Sequence, residues 1–230
     1  MNARLQPHPL AARFSTVRAQ TMALAAPLSE ADCQVQSMPD ASPVKWHLAH
    51  TTWFFETFVL APHLRGFQPF DPAFKVLFNS YYNGVGAQHP RAQRGLVTRP
   101  DLATVRTWRG VVDAQVAQLL STPLAPAVAD LVQLGLQHEQ QHQELICTDL
   151  LHLLSCNPLA PVYLPPPAMP AVPVRPLAWV DQPGGLVEIG APASGFAFDN
   201  EHPRHRQFLR PHALASRPVV QAEWAAFIAD

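Results

Sequence analysis

The chain has 230 residues, of which 48% are hydrophobic and 14% charged, and its formal net charge is -1. This composition excludes intrinsic disorder, which needs low hydrophobicity and high net charge. It also argues against a nucleic-acid binder or a membrane-surface binder, since both need a basic face. Three cysteines without paired spacing argue against a disulfide framework, and no apolar run reaches the roughly 20 residues of a transmembrane helix. We therefore expect a soluble cytoplasmic protein.

Four helices are predicted in the first two thirds of the chain, and together they suggest an antiparallel bundle. Ser42-Pro43 opens the second helix, because serine is a favoured N-cap residue and proline is tolerated at the first helical position. Residues 61–97 contain aromatic residues and glycines without a sustained period, so they predict a long loop. The helices are expected over residues 10–26, 42–60, about 101–120 and 127–154.

The fourth helix carries a row of side chains at steps of three and four residues. His138 and His142 belong to this row and lie one helical turn apart, so their imidazoles point to the same side, as two ligands of one metal ion do. An imidazole without a partner on an apolar face would be costly. The pattern therefore favours metal binding over a pair of solvated histidines. The row comprises Leu131, Leu134, His138, Gln141, His142, Leu145 and Asp149.

The segment His138-Glu139-Gln140-Gln141-His142 also matches H-E-x-x-H, the zinc metalloprotease signature in which the glutamate is the general base. The longer metzincin form would need a glycine and a third histidine where this chain has Leu145 and Thr148. A zinc hydrolase is therefore an alternative that the sequence leaves open. Conceivable third ligands further along the helix are Glu144, Asp149 and His152.

A third ligand is also available upstream, in the second helix. His50 shares a helix face with three aromatic residues, whereas His47 shares its side with Thr51 and two phenylalanines. Periodicity therefore leaves the choice between His47 and His50 open. A lone histidine among aromatic residues is more often a core residue than a ligand, and only its pairing with the fourth helix makes it a candidate.

The composition changes after the fourth helix. Eight prolines between Asn157 and Leu177 exclude a helix or a central strand and predict an extended connector. Beyond it, short strands are predicted over Leu186–Ile189 and Phe208–Leu214, followed by the start of a helix over Gln221–Ile228. About fifty residues bury little apolar surface, so we expect this part to be the beginning of a larger domain.

Several segments carry a family resemblance, namely Ser42–Glu56, Phe78–Asn83, His138–Glu144, Phe196–His205, Arg217–Val220 and Glu223–Ile228. Together they resemble the ergothioneine-biosynthesis sulfoxide synthases. In that family a DinB-like four-helix bundle is joined to a domain resembling formylglycine-generating enzyme, a sulfatase-modifying factor. The resemblance implies a mainly α fold in three parts: a DinB-like metal-binding bundle over residues 1–156, a Pro-rich linker over 157–177, and an incomplete α+β formylglycine-generating-enzyme-like domain over 178–230.

The resemblance also implies a non-haem Fe(II) centre, held by His50, His138 and His142. Its small-molecule substrates would be hercynine (Nα-trimethylhistidine), O₂ and either cysteine or γ-glutamylcysteine. The enzyme would join the sulfur of the thiol to the imidazole of hercynine and oxidise that sulfur to a sulfoxide. Three neutral nitrogen ligands on one face leave the opposite positions of an octahedral ion open, as in other non-haem iron oxygenases.

Supporting residues are expected around this centre. By resemblance, Gln141 hydrogen-bonds the bound hercynine. Arg91 and Arg94 are candidates to hold the carboxylate of the thiol substrate, which arginine binds bidentately. Glu139 and Glu144 are expected to lie next to the ligands or on the surface rather than to act as general bases.

The family's second domain is several times longer than residues 178–230, and it supplies a catalytic tyrosine. The tyrosines of this chain are Tyr81, Tyr82 and Tyr163, and none matches that position, so the catalytic residue stays unassigned. We expect a fragment or a shortened protein. Two alternatives to the oxygenase remain, the zinc hydrolase and a non-catalytic metal-binding bundle.

Overall fold

The computed structural model describes residues 8–80, 82–166 and 175–230. The chain forms two compact units, of which the first ends at Pro166 and the second begins at Pro167. Tyr81 and residues 167–174, which belong to the predicted linker, lie outside the described residues. Within the described ranges, no helix combines the length and the apolar character needed to cross a membrane.

The first unit consists of helices, which confirms the expected mainly α fold. In chain order its elements are α1 (Leu10–Ala25), α2 (Glu30–Gln34), α3 (Val44–Phe54), a π-helical turn (Phe55–Leu60), α4 (Ala61–His63), α5 (Phe74–Leu77), two 3₁₀ turns (Asn83–Val85 and Arg91–Leu96), α6 (Leu102–Leu120) and α7 (Pro126–Ser155). The long helices α1, α3, α6 and α7 pack against one another as a bundle. This packing brings α3 and α7, which carry the candidate ligands, into contact.

The structure differs from the sequence prediction in the short elements. Helix α2 begins at a capping box in which the Ser29 hydroxyl accepts the Asp32 N–H and the Asp32 carboxylate accepts the Ser29 N–H. Residues 61–97, predicted as one loop, contain α4, α5 and both 3₁₀ turns. These elements have six residues or fewer, so no hydrophobic period could reveal them.

The buried face of α7 is not the row predicted from the sequence. Leu134 of that row is exposed, and Leu131 and Leu145 are only half-buried. A second apolar row lies about one position further along the helix, and this row enters the core. The buried residues are Val128, Val132, Gly135, Leu136, Glu139, His142, Ile146 and Leu150. The predicted row instead forms the edge of a cavity, through His138, Gln141, His142 and Leu145.

A cluster of buried charges joins α1, α6 and α7. The Glu139 carboxylate accepts hydrogen bonds from Arg18 at 2.9 Å, from Thr21 at 2.6 Å and from Arg109. Arg18 also donates to Asp113 at 2.6 Å. Burial alone would raise the pKa of Glu139, but Arg18 and Arg109 outweigh it and lower that pKa to about 2. Glu139 is therefore a charged, fully paired residue of the core.

The described part of the second unit, residues 175–230, contains four strands, one 3₁₀ turn and one helix: β1 (Trp179–Gln182), β2 (Gly185–Ile189), a 3₁₀ turn (Asp199–Glu201), β3 (His205–Leu209), β4 (His212–Ala215) and α8 (Gln221–Ala229). β1 pairs with β4 and β2 with β3, both antiparallel. The strand predicted over 208–214 is divided at Arg210-Pro211, since proline cannot donate to a ladder. Gly184 has φ +73°, and a Cβ there would lie 2.5 Å from the Leu209 carbonyl oxygen, so a glycine is required.

Close packing of α7 on α3 generates the first prediction. A Cβ at Gly135 would lie 2.8 Å from the Phe54 ring and 2.7 Å from the Phe55 ring. We expect Gly135→Ala to lower the free energy of unfolding in urea by about 1–3 kcal/mol, because overpacking strains a dense core. Gly110→Ala on α6 is the matched control, since nothing lies within 4 Å of its Cβ. It should raise that free energy by about 0.5–1 kcal/mol, and equal effects in both variants would contradict the packing.

Candidate metal centre

Three histidines meet where α3 contacts α7. His50 of α3 and His138 and His142 of α7 each offer a ring nitrogen, and the three atoms lie within 4.8 Å of one another. The ring centroids of His138 and His142 are 4.6 Å apart, and those rings lie 5.0 Å and 4.9 Å from the His50 ring. The helical spacing of four residues produces the first of these contacts, and the packing of the helices produces the other two.

The three imidazoles are held in the neutral form. Burial lowers the pKa of His50 and of His142 well below the ordinary value, and neighbouring imidazoles and Arg94 lower both further. Burial also lowers the pKa of His138 to about 4, although the Glu139 carboxylate opposes this shift. A neutral imidazole is the form that binds a metal ion, so the cluster is ready for a cation without losing protons.

Each ring of the cluster is oriented by a different set of neighbours. His50 donates from Nδ1 to the carbonyl oxygen of Phe78 at 2.6 Å, which leaves Nε2 as its available nitrogen. Its ring is stacked between Trp46 at 4.5 Å and Trp53 at 5.3 Å, with interplanar angles of 13°. By contrast, Nδ1 of His138 is buried and has no hydrogen-bond partner among the described residues.

These observations fit a metal site. Leaving a buried ring nitrogen without a partner costs about 1–3 kcal/mol unless a ligand occupies the site. Three neutral nitrogen donors converge on one point, which is the donor set that imidazole-binding ions such as iron and zinc accept. His50, His138 and His142 are therefore the residues that could hold a metal ion, whereas His47 lies outside this group and contacts Nδ1 of His142 with its own Nδ1 at 2.8 Å.

A cavity of about 240 Å³ opens onto the histidines. Gln141 and Arg91 lie on its exposed side, and Arg91 donates to the carbonyl oxygen of Asp40 at 3.0 Å. All three residues predicted for substrate contacts thus line the same cavity as the candidate ligands. The full lining is Ser42, Trp46, His47, His50, Ser80, Tyr82, Arg91, Arg94, His138, Gln141, His142 and Leu145.

Arg94 occupies a more constrained position than a loop arginine usually has. It is 4% exposed, and it donates to the hydroxyls of Ser42 and Ser80 at 2.9 Å each. Its guanidinium carbon lies 3.4 Å from the centre of the Trp46 ring, a cation–π contact. Sequence reasoning missed the roles of Trp46, Ser42 and Ser80. The only available signal was that they belong to the segments that carry the family resemblance.

The two glutamates near the ligands have different environments. Glu144 is exposed and lies on the surface, one of the two positions expected for it. Glu139 is fully buried on another side of α7, and both of its oxygens are occupied by Arg18, Arg109 and Thr21. A carboxylate with a pKa of about 2 and no access to the cavity is a poor general base. Glu139 is therefore not placed to act as the general base that the H-E-x-x-H interpretation requires.

The lowered pKa of His138 generates a pH prediction for the metal-free protein. Since that pKa is about 4 in the folded state and 6.5 in the unfolded chain, the unfolded state binds more protons between these values. The free energy of unfolding should therefore decrease as the pH falls from 7, and His138 alone should account for about 2 kcal/mol at pH 5. Urea denaturation at both pH values checks this.

The control compares two histidine variants. His138→Gln should reduce the difference between pH 7 and pH 5, because the residue that resists protonation has been removed. The same substitution at the exposed His63 should leave the difference as in the wild type. An unchanged pH dependence in His138→Gln would contradict a neutral, buried imidazole at this position.

Comparisons with known proteins agree with this geometry. The sequence profile of the DinB superfamily matches residues 13–146, which include all three histidines. The chain is 30% identical over 229 residues to a hercynine oxygenase of Mycolicibacterium thermoresistibile, and 27% identical over 227 residues to a hercynine oxygenase of Mycolicibacterium smegmatis. Each alignment covers 96% of this chain but only 48% and 50% of the relatives, so the chain spans about half their length. These matches confirm the resemblance indicated by the sequence motifs, and the extent of the profile match shows that the chain belongs to the DinB superfamily.

Proposed function

We propose that this chain is the metal-binding part of a non-haem Fe(II)- and O₂-dependent sulfoxide synthase of ergothioneine biosynthesis. Such an enzyme joins the sulfur of cysteine or γ-glutamylcysteine to the imidazole of hercynine and oxidises the sulfur to a sulfoxide. The observation that carries the proposal is the convergence of His50, His138 and His142 at a cavity lined by Arg91, Arg94 and Gln141. Its second support is the similarity to two proteins named hercynine oxygenase.

The proposal assigns Fe(II) to the three histidines. When bound there, iron would supply open coordination positions and the electron-transfer chemistry that a reaction with O₂ requires. A catalytic zinc site in a hydrolase would also need a general base, and Glu139 is turned away into the charge cluster of the core. This favours the oxygenase over the hydrolase. The protein itself contributes a rigid, neutral donor set and a positive charge beside it.

The cavity supports small anionic and zwitterionic substrates. Arg91 and Arg94 place two positive charges on its wall, and a guanidinium is the side chain that best pairs with a carboxylate. Gln141 presents an amide from the exposed side of α7, where it can donate to or accept from a bound imidazole. We assign the arginines to the thiol substrate and Gln141 to hercynine. Nucleic acid has no place in this proposal.

The size of the cavity indicates a partial active site. Its volume of about 240 Å³ is below the roughly 300–1,000 Å³ that is typical of ligand pockets. We infer that the bundle encloses the metal and only part of the substrates. We further propose that residues 178–230 begin a formylglycine-generating-enzyme-like domain. Of the described tyrosines, Tyr82 lines the cavity, while Tyr163 donates to the Leu24 carbonyl oxygen at 2.6 Å. Neither matches the position of the family's catalytic tyrosine, so neither is assigned as catalytic.

Metal titration tests the proposed centre. The 230-residue chain should bind about one Fe(II) under anaerobic conditions, and His50→Ala and His138→Ala should each abolish this binding, because two remaining imidazoles hold the ion weakly. The exposed His63→Ala is the matched control and should bind as the wild type does. Tight zinc binding that survives His50→Ala but not His138→Ala would overturn the three-histidine centre and favour the hydrolase.

Binding of hercynine to the metal-loaded chain tests the substrate assignment. We expect Gln141→Ala to weaken hercynine binding about 3–10-fold in isothermal titration calorimetry, as the loss of one hydrogen bond does. Gln137→Ala removes a glutamine from the same helix that does not line the cavity, and it should leave the affinity unchanged. Equal affinities in both variants would remove Gln141 from the site.

A further inference from the structure

A chain of three hydrogen-bonding groups begins at His142. Nδ1 of His142 lies 2.8 Å from Nδ1 of His47, and Nε2 of His47 lies 3.0 Å from Oδ2 of Asp149. The same Asp149 oxygen accepts the backbone N–H of Ser42 at 2.8 Å. His47 and His142 are both buried, and the Asp149 side chain is 11% exposed. Sequence reasoning gave none of these contacts a role.

The hydrogen-bond partners indicate where the protons lie when His47 is neutral. The Asp149 carboxylate only accepts, so the nitrogen that contacts it, Nε2 of His47, carries a proton. A neutral His47 then accepts at Nδ1, and the proton shared by the two Nδ1 atoms belongs to His142. His142 is left with an unprotonated Nε2, on the side of the ring opposite His47. A metal ion bound at Nε2 of His142 would require this tautomer, because the ligand nitrogen must carry a lone pair.

We propose that His47 and Asp149 form a positioning relay that holds His142 in its Nδ1–H tautomer and directs its Nε2 to the metal position. This inference rests on the proposed metal centre and adds residues that orient one of its ligands. Neither His47 nor Asp149 supplies a nitrogen or oxygen to the cluster itself, so both are positioning residues. A carboxylate behind a metal-binding histidine fixes the ring and raises its basicity, and here the carboxylate acts through a second imidazole.

The relay also differs from the support of the other ligands. His50 donates to an uncharged carbonyl oxygen, that of Phe78, so its ring is oriented without a nearby anion. His142 is the ligand connected to a carboxylate. Asp149 lies seven residues after His142 on α7, two helical turns further along the same face, and it reaches the ligand only through His47 of α3. The relay therefore depends on the α3–α7 contact that also forms the histidine cluster.

The first test reads the tautomers of the metal-free chain, labelled with ¹⁵N at its 11 histidines. Long-range ¹H–¹⁵N correlation spectra distinguish Nδ1–H from Nε2–H, and His47→Gln and His142→Gln assign the two rings. We expect the Nδ1–H form for His142 and the Nε2–H form for His47. Asp149→Leu removes the acceptor and should shift His142 towards the other tautomer, whereas Glu144→Gln, which removes an exposed carboxylate of the same helix, should change neither ring.

The second test measures metal affinity by competition of Zn(II) with a chelator. Asp149→Asn keeps an oxygen for Ser42 and His47 but removes the charge, and it should weaken binding about 10-fold. Asp149→Leu should weaken it about 10–100-fold, the range known for such outer partners. If Asp149 only anchored the start of α3, Asp149→Asn would bind zinc as tightly as the wild type. If Asp149→Leu does not fold, the tautomers of the wild type and the zinc affinity of Asp149→Asn still test the relay.

The outcomes separate this inference from the proposed function. An Nε2–H tautomer of His142 in the wild type, or wild-type zinc affinity in Asp149→Asn, overturns the relay even if the chain binds one metal ion through its three histidines. Conversely, absence of metal binding in the wild type together with the expected tautomers overturns the proposed metal centre. In that case the ordered hydrogen-bond chain from Asp149 to His142 stands.

Discussion

The rotation of α7 about its own axis is fixed by the buried ion pairs of Glu139. This residue lies between His138 and His142 in the sequence but faces α1 and α6, where Arg18 and Arg109 neutralise it. Breaking such a pair on one side costs roughly 3–5 kcal/mol, because the remaining charge stays buried. With Glu139 held in this direction, the two histidines can only turn towards α3. The candidate metal centre therefore depends on a charge cluster that never contacts the metal position.

The three candidate ligands receive unequal support from the protein. His50 is clamped between two indole rings and tied to a backbone carbonyl, and His142 is tied to a second imidazole. His138 has only its own helix and ring contacts with its neighbours, and one of its nitrogens has no partner among the described residues. Among the described residues, ring packing rather than a hydrogen bond at Nδ1 therefore holds His138 in place.

Sequence reasoning reached the mainly α fold and the pairing of His138 with His142, because helix period and proline positions are local signals. It could not identify the buried face of α7, since that helix carries two adjacent apolar rows and only packing selects one. It also left two positions open for Glu139, next to the ligands or on the surface. The partners of Glu139 lie 121 and 30 residues away in sequence, and no local pattern encodes a contact of that kind. The choice between His47 and His50 depended on the family resemblance for the same reason.

Trp46 joins two parts of the site that otherwise have separate tasks. One face of its indole stacks on His50 at 4.5 Å, and the guanidinium of Arg94 lies 3.4 Å from the ring centre. Imidazole, indole and guanidinium thus form one continuous column from a candidate metal ligand to a candidate carboxylate-binding group. Because packed interiors transmit displacement rather than absorb it, Arg94 cannot move towards an anion without Trp46 following or losing contact. A displacement of Arg94 would therefore act on the same indole ring that orients His50.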